Sequence, residues 1–199
     1  MLFPHLGSIA VYRILLPALV LFAATPARAD VVQATPAGFE LSQAITIDVP
    51  PARAWAALKL PQLWWNHEHS YSDDSANLYL EARAGGCFCE KLDGGKGGVE
   101  HARILYVAPG RMLRMAGSLG PLQAEAVTGT LTFRLDPEGD KATRLTMTYV
   151  VGGYVRAGAE TLAPKVDEVL AIQLLGLKTF AETAPVAPKP TERKAEPGR

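Results

Sequence analysis

The sequence predicts an α+β fold in which a curved antiparallel sheet of about six or seven strands wraps around a long C-terminal helix. Three observations lead to this fold class. Strand-like segments separated by turn-forming residues fill most of residues 39–153, helical segments follow the first of them, and a long amphipathic segment closes the domain at residues 158–184. Because a helix with one apolar face buries it against another layer, the preceding strands must form that layer.

The segment at residues 158–184 predicts an amphipathic helix of about five turns. Apolar side chains recur on one stripe at helical spacing, namely Leu162, Val166, Val169, Leu170, Leu174, Leu177 and Phe180. Gln173 lies within this stripe, where a buried amide must find a partner or face a polar cavity. We favour a cavity lined by Gln173 with Leu170, Leu174 and Leu177, the alternative being that a group of the sheet satisfies the amide.

The strand candidates follow one another with few helical interruptions. The first lies within residues 39–49, and the Pro50-Pro51 pair then ends it and begins a short helix. Residues 60–72 predict a second short helix that runs into a loop. Further strand candidates, each bounded by Gly, Pro or Asp residues, cover 77–83, 86–92, 98–108, 111–119, 125–135 and 143–153.

Both ends of the chain are predicted to lie outside the domain, which spans residues 30–184. Residues 1–29 combine Arg13, an apolar run shorter than the roughly 20 residues of a membrane span, and a terminal Ala-Arg-Ala. This pattern predicts a signal peptide cleaved after Ala29, a periplasmic or secreted product, and no stable membrane anchor. Residues 185–199 contain four prolines and six charges, which predicts a disordered tail.

The charge balance gives no reason to expect nucleic acid as a partner. The chain has 20 Lys and Arg, two of which (Arg13 and Arg28) belong to the predicted signal peptide, against 20 Asp and Glu, so the mature formal charge is −2. The length suits one domain. Nothing in the composition identifies a protein partner or indicates a cofactor.

Cys87 and Cys89 are the only cysteines, and they lie two residues apart on a predicted strand. Residues at this spacing are separated by about 6.5 Å in a regular strand, whereas a disulfide requires Cβ atoms about 4 Å apart. We therefore favour two free thiols. A reducible bridge would need a bend near Gly85-Gly86, and a metal pair ranks third.

His101 lies on the strand that follows the turn DGGKGG. Folding this hairpin about its centre places Glu90 opposite His101, where the carboxylate would orient the imidazole and raise its pKa. A shift of one residue would place Cys89 there instead, so that Cys87, Cys89 and His101 become weak candidates for zinc or copper ligands. We favour the interpretation that His101 forms a cross-strand polar pair with no further role and that no metal is bound there.

The order of strand, two short helices, antiparallel meander and long helix resembles the START-like (SRPBCC) superfamily, in the branch related to activators of heat-shock-protein ATPase and to polyketide cyclase-like proteins. The stretches PPARAWAAL, LWW, ARAGGCFCE, YVAPGRMLRM and GSLGPLQ carry the resemblance, which covers residues 39–182. It implies a helix-grip fold that encloses an apolar cavity between sheet and terminal helix. Members include lipid carriers, cyclases, hydrolases and co-chaperone domains, so the fold alone does not decide the chemistry.

Two functions follow as alternatives. The first is an exported, non-catalytic protein that holds a small apolar or amphipathic ligand in the cavity, with Trp64 and Trp65 either at its mouth or capping the core. The second is a cyclase- or hydrolase-like enzyme in which His101, His69 and Glu90 act as acid and base inside the same cavity. A His101 ring that faces the cavity would favour the enzyme.

Overall fold

The computed structural model describes residues 31–185, so the predicted signal peptide and all but the first residue of the predicted tail lie outside the described part. Its strands are β1 (Val31–Thr35), β2 (Gly38–Ile47), β3 (Leu78–Leu80), β4 (Cys87–Leu92), β5 (Gly97–Ala108), β6 (Met112–Ala116), β7 (Ala126–Glu138) and β8 (Ala142–Tyr154). They form one antiparallel sheet in the order β1-β2-β8-β7-β6-β5-β4-β3. The predicted α+β helix-grip fold is confirmed, with β1 as a strand that the sequence pattern did not reveal.

Within the described range two α-helices complete the fold, α1 (Pro51–Leu58) and α2 (Ala159–Thr183). With 25 residues, α2 makes about seven turns rather than the predicted five. The second short helix expected within residues 60–72 is replaced by two 3-10 turns, Pro61–Leu63 and His67–His69. No helix among residues 31–185 has both the length and the apolar character of a membrane span.

The hydrophobic core lies between the concave face of the sheet and α2. Alternate residues of the central strands are buried, as the two-residue period of a strand requires. On β7 and β8 the large hydrophobic ones are Leu131, Phe133, Leu135, Leu145, Met147, Tyr149 and Val151. Leu170, Leu174 and Leu177 of α2 pack against this surface, which agrees with the apolar stripe of the predicted helix.

The buried face of α2 also contains an acid. Asp167 is only 4% exposed because it shares a helix face with Ala163, Leu170 and Leu174. The Nε2 atom of Gln43 on β2 donates to the Asp167 carbonyl oxygen at 2.7 Å and to its Oδ1 at 2.6 Å. This contact satisfies the acid and ties the helix to the sheet.

The C-terminal end of α2 is held by a side chain from α1. Arg53 donates through Nε to the carbonyl oxygen of Ala181 at 2.8 Å, and through one terminal nitrogen to those of Glu182 at 3.1 Å and Ala184 at 2.7 Å. The last carbonyl groups of a helix have no intrahelical donor, and a cation is favoured there by the helix dipole. Arg53 therefore caps α2.

Replacing Arg53 by Met should lower the free energy of unfolding by about 1–3 kcal/mol, because the capped carbonyl groups lose hydrogen bonds from a charged donor. Urea denaturation of the purified domain measures this change. Arg83→Met is the matched control, since Arg83 forms only a surface ion pair with Glu81 and should change stability by less than about 0.5 kcal/mol. Equal losses in both variants would show that Arg53 is not a cap.

Candidate functional site

A cavity of about 470 Å³ lies beneath the N-terminal half of α2. Its other walls are Trp65 with residues 68–71, from the loop after α1, and residues 119–122, from the connection between β6 and β7. The α2 residues that line it are Leu162, Lys165, Val166, Val169 and Leu170. The wall is mainly apolar, and the volume falls within the range of about 300–1,000 Å³ typical of small-molecule sites.

The loop that borders the cavity is fixed by its own hydrogen bonds. The Asn66 side chain accepts a hydrogen bond from the backbone N–H of Glu68 at 3.1 Å, which caps the 3-10 turn His67–His69. The indole N–H of Trp65 donates to the carbonyl oxygen of His69 at 3.0 Å. The residues that reach the cavity from this loop therefore have defined positions.

Tyr71 connects the two loops that form the cavity wall. Its hydroxyl donates to the carbonyl oxygen of Gly120 at 2.8 Å, and its side chain is about half exposed. The ring thus lies between the cavity and solvent.

Glu90, directly behind this loop, holds its backbone in place. One carboxylate oxygen, Oε1, accepts from the Ser72 N–H at 2.5 Å, and the other, Oε2, accepts from the Tyr71 N–H at 3.1 Å and lies 2.9 Å from Nε2 of His101. Glu90 and His101 are only 1% and 5% exposed. The pair predicted from the sequence does form, and it anchors the chain that carries Tyr71.

The charge states of this pair follow from burial and hydrogen bonding. Burial raises the pKa of Glu90, but hydrogen bonds from Ser72, Tyr71 and His101 outweigh it and leave the pKa below the usual value, so Glu90 is a carboxylate. Burial lowers the pKa of His101, and the hydrogen bond and charge of Glu90 oppose this only in part. Our expectation of a raised pKa for His101 is therefore wrong, because desolvation outweighs the carboxylate.

A β-bulge produces the contact between Glu90 and His101. Neither expected register occurs, because Glu90 pairs with Val99, Cys89 with Glu100 and Phe88 with Ala102. His101 is the extra residue on β5 between the last two pairs. His101 and Ala102 are consequently both buried, although neighbours on a regular strand would face opposite sides.

Cys87 and Cys89 form a disulfide, which corrects our interpretation of two free thiols. Their Cα atoms are 5.5 Å apart, less than the roughly 6.5 Å of a regular strand. The register between β4 and β5 shifts between Phe88 and Cys89, so the bridge spans an irregular step of the ladder. With both sulfur atoms in the bridge, the Cys/His metal cluster does not form, and residues 31–185 contain no group of three or more His, Cys, Asp or Glu placed to hold a metal.

Reduction of this disulfide should lower the free energy of unfolding by only about 1–2 kcal/mol, because a cross-link that encloses three residues restricts the unfolded chain very little. The test is urea denaturation with and without a phosphine reductant, with the free thiols counted. The double variant Cys87→Ser/Cys89→Ser is the control for direct effects of the reductant. Complete unfolding on reduction at room temperature would contradict the expectation.

Gln173 contacts the loop instead of the cavity. Its Oε1 accepts from the Asn66 N–H at 2.8 Å, and its Nε2 lies 2.8 Å from Nδ1 of His69 and 3.2 Å from the carbonyl oxygen of Val169. Groups of this loop and of α2 itself therefore satisfy the amide, so neither the cavity nor a group of the sheet does so.

The other predicted site residues divide between cavity and core. Trp65, His69 and Leu170 line the cavity, whereas Leu174 and Leu177 do not. Trp64 is buried, donates its indole N–H to the carbonyl oxygen of Ala57 at 3.0 Å and lines a separate apolar void of about 20 Å³.

The acid–base candidates do not meet in one cavity. His69 is part of the cavity wall, but Glu90 and His101 are not. Sequence reasoning missed Tyr71 and residues 119–122 as site residues. Two features of the sequence could have identified them: an aromatic residue just after the His-rich loop, and the apolar Gly-Pro stretch GSLGPLQ.

Comparisons with known proteins agree with this architecture. The family model described as "Polyketide cyclase / dehydrase and lipid transport" matches residues 38–182. A protein of unknown function from Enterococcus faecalis, EF2215, shares 16% identity with a TM-score of 0.54 over 84% of this chain and 83% of its own. CalU16 from Micromonospora echinospora shares 19% identity, with a TM-score of 0.55 over 81% of this chain and 88% of its own. A protein from Arthrobacter aurescens shares 14% identity, with a TM-score of 0.53 over 84% of this chain and 100% of its own. At these identities the structures establish a common fold, and no curated protein matches the chain significantly.

Proposed function

Because the chain belongs to the family described as polyketide cyclase / dehydrase and lipid transport, we propose that it is an exported protein that binds a small apolar or amphipathic ligand. Membership of this family confirms the START-like resemblance of the sequence. The observation that carries the proposal is the mainly apolar cavity of about 470 Å³ beneath α2. Apolar walls around a space of this size favour a ligand whose apolar part leaves water.

The construction of the cavity supports binding of a whole small molecule. Leu119 and Leu122 from the β6–β7 connection and Leu170 from α2 present apolar surface to the cavity, and all three are buried. Polar side chains in the wall are confined to residues 68–71 and Lys165. A ligand with an apolar body and one polar end fits this distribution.

The disulfide supports export. Disulfides persist in oxidising compartments such as the bacterial periplasm and are rare in the cytosol. The signal-peptide pattern of residues 1–29 points to the same compartment.

The geometry favours binding over the enzyme alternative. His101 and Glu90 are not part of the cavity wall, and both oxygens of Glu90 are occupied by backbone and imidazole donors. An acid–base pair must reach the reacting atoms directly or through one water. The pair is better explained as an anchor for the loop that carries Tyr71.

The proposal is tested by titrating the mature protein with diphenylhexatriene, an uncharged probe that fluoresces in apolar surroundings. The wild type should bind the probe saturably, and Leu162→Trp/Val166→Trp should weaken binding at least about tenfold because the indole rings occupy the cavity. Ile172→Trp/Leu175→Trp is the control, since it adds the same side chains to an exposed part of α2. Equal binding by the two variants, or no binding by the wild type, would refute the proposal.

Native mass spectrometry of the protein purified from its own periplasm supplies an independent test. We expect a bound small molecule of low polarity that is absent from the variant Leu162→Trp/Val166→Trp. Recovery of the full-length precursor from the cytosol, with the leader intact, would refute export.

A further inference from the structure

His69 is held by hydrogen bonds at both its side chain and its backbone. Nδ1 lies 2.8 Å from Nε2 of Gln173. The backbone carbonyl of His69 accepts from the indole N–H of Trp65 at 3.0 Å, and its backbone N–H donates to the carbonyl oxygen of Asn66 at 3.0 Å. The imidazole therefore has a fixed position in the cavity wall.

The orientation of the Gln173 amide determines which nitrogen of His69 carries the proton. The Asn66 N–H can only donate, so the amide atom 2.8 Å from it must be the oxygen. The amide NH₂ group then faces Nδ1 of His69 and the carbonyl oxygen of Val169, and it donates to both. Nδ1 consequently acts as the acceptor, and the neutral ring carries its proton on Nε2.

The Nε2–H group has no hydrogen-bond partner among residues 31–185. The only buried side-chain nitrogen or oxygen without a partner in this range is Oε1 of Gln43, so Nε2 of His69 reaches open space. His69 lines the cavity, and Nε2–H is the hydrogen-bonding group of its ring that no described residue engages.

We propose that this Nε2–H binds an oxygen acceptor, carboxylate or carbonyl, at the polar end of the ligand, and that Gln173 is the positioning residue that fixes the donor. This inference rests on the proposed function, because it assigns the polar anchor of the same cavity. Lys165, which has no ion pair within the described range, favours a carboxylate. Glu68 in the same wall opposes one, so the charge of the head group is left to the experiment.

The protonation pattern is tested first, by ¹⁵N NMR of the histidine rings in the mature protein. The His69 signal is assigned through its absence in His69→Phe, at a pH where the spectra show a neutral ring. The wild type should carry its proton on Nε2. In Gln173→Glu the carboxylate can only accept, so the proton should move to Nδ1. An unchanged pattern in Gln173→Glu would overturn the positioning role.

Binding is tested with three probes: cis-parinaric acid, its methyl ester and diphenylhexatriene, which has no oxygen. His69→Phe should weaken binding of the probes that use the donor by about 3- to 10-fold, as expected for one hydrogen bond. Its affinity for diphenylhexatriene should stay within about twofold of the wild-type value. Gln173→Glu should reproduce this pattern while its ring is neutral. A loss confined to the acid assigns a carboxylate, and a loss for acid and ester assigns a carbonyl oxygen.

The two proposals fail in different ways. If the wild type binds diphenylhexatriene and His69→Phe leaves both oxygen-bearing probes unaffected, the anchor is refuted while the binding function stands. If the wild type binds no diphenylhexatriene, the binding function fails, and the anchor fails with it.

Discussion

Replacing Glu90 by alanine is expected to lower the free energy of unfolding by about 3–5 kcal/mol, the largest effect expected of any single substitution in this protein described above. The carboxylate is 1% exposed and accepts from the backbone N–H groups of Tyr71 and Ser72 and from Nε2 of His101. Its removal leaves three donors without their acceptor and opens a space in the protein interior. Urea denaturation followed by circular dichroism measures the change.

Two further variants separate the effect of losing the buried carboxylate from the effect of losing side-chain volume. Glu90→Gln keeps the shape but turns an NH₂ group toward a backbone N–H, so a loss of about 1–3 kcal/mol is expected. Glu81→Gln removes an exposed carboxylate in a surface ion pair and should change stability by less than about 0.5 kcal/mol. If Glu90→Ala lost no more than Glu81→Gln, Glu90 would not anchor the loop.

The same pair makes stability depend on pH. The pKa of Glu90 is below its usual 4.5 in the folded state, so its contribution is present above pH 4.5 and disappears as the pH falls through the folded value. The pKa of His101 is below its usual 6.5, so below pH 6.5 the unfolded chain binds a proton that the folded chain does not. Both contributions decrease stability as the pH falls, and His101→Gln should flatten the part of the curve just below pH 6.5.

Gly176→Ala is expected to destabilise the protein by about 2 kcal/mol or more, although alanine is the better helix former by about 1 kcal/mol. A Cβ atom on Gly176 would lie 2.3 Å from the carbonyl oxygen of Trp64, so either α2 or the loop would have to move. The movement would also disturb Gln173, one turn earlier on α2, where it binds the same loop. Thermal and urea unfolding measure the sign and size of the effect.

Thr179→Ala tests helix propensity at an exposed position of α2 and should alter stability by no more than about 0.5 kcal/mol. A stabilised Gly176→Ala protein would mean that propensity outweighs the steric contact and that the close approach of α2 to Trp64 is unimportant.

Local periodicity made the fold predictable. The two-residue alternation of β7 and β8 and the helical spacing of Leu170, Leu174 and Leu177 are set by neighbouring residues, so both could be recognised without tertiary information. The short strand β1 was missed because only five residues define it and both of its valines are exposed.

The candidate site was less predictable because it depends on contacts between distant segments. A bulge brought His101 to Glu90 without either expected register, and the bond between Cys87 and Cys89 spans the same irregular step of the ladder. Neither the insertion of one residue in a ladder nor its position follows from hydrophobic alternation. Gln173 was singled out correctly as a buried amide needing partners, but its contact with His69 spans 104 residues.

The Arg53 cap should make the two ends of α2 unequal in local stability. Arg53 and Lys178 bind the C-terminal end to α1 and to the Thr46 carbonyl oxygen, whereas no side chain caps the first turn and the N-terminal half covers the cavity. Pro164 further lacks the N–H that would bond within the helix. Backbone amides near residues 159–166 should therefore exchange with solvent hydrogen much faster than those near 174–181. Partial fraying of the N-terminal turns would give a ligand a route to the cavity while the sheet and the C-terminal end of the helix, capped by Arg53, stay folded.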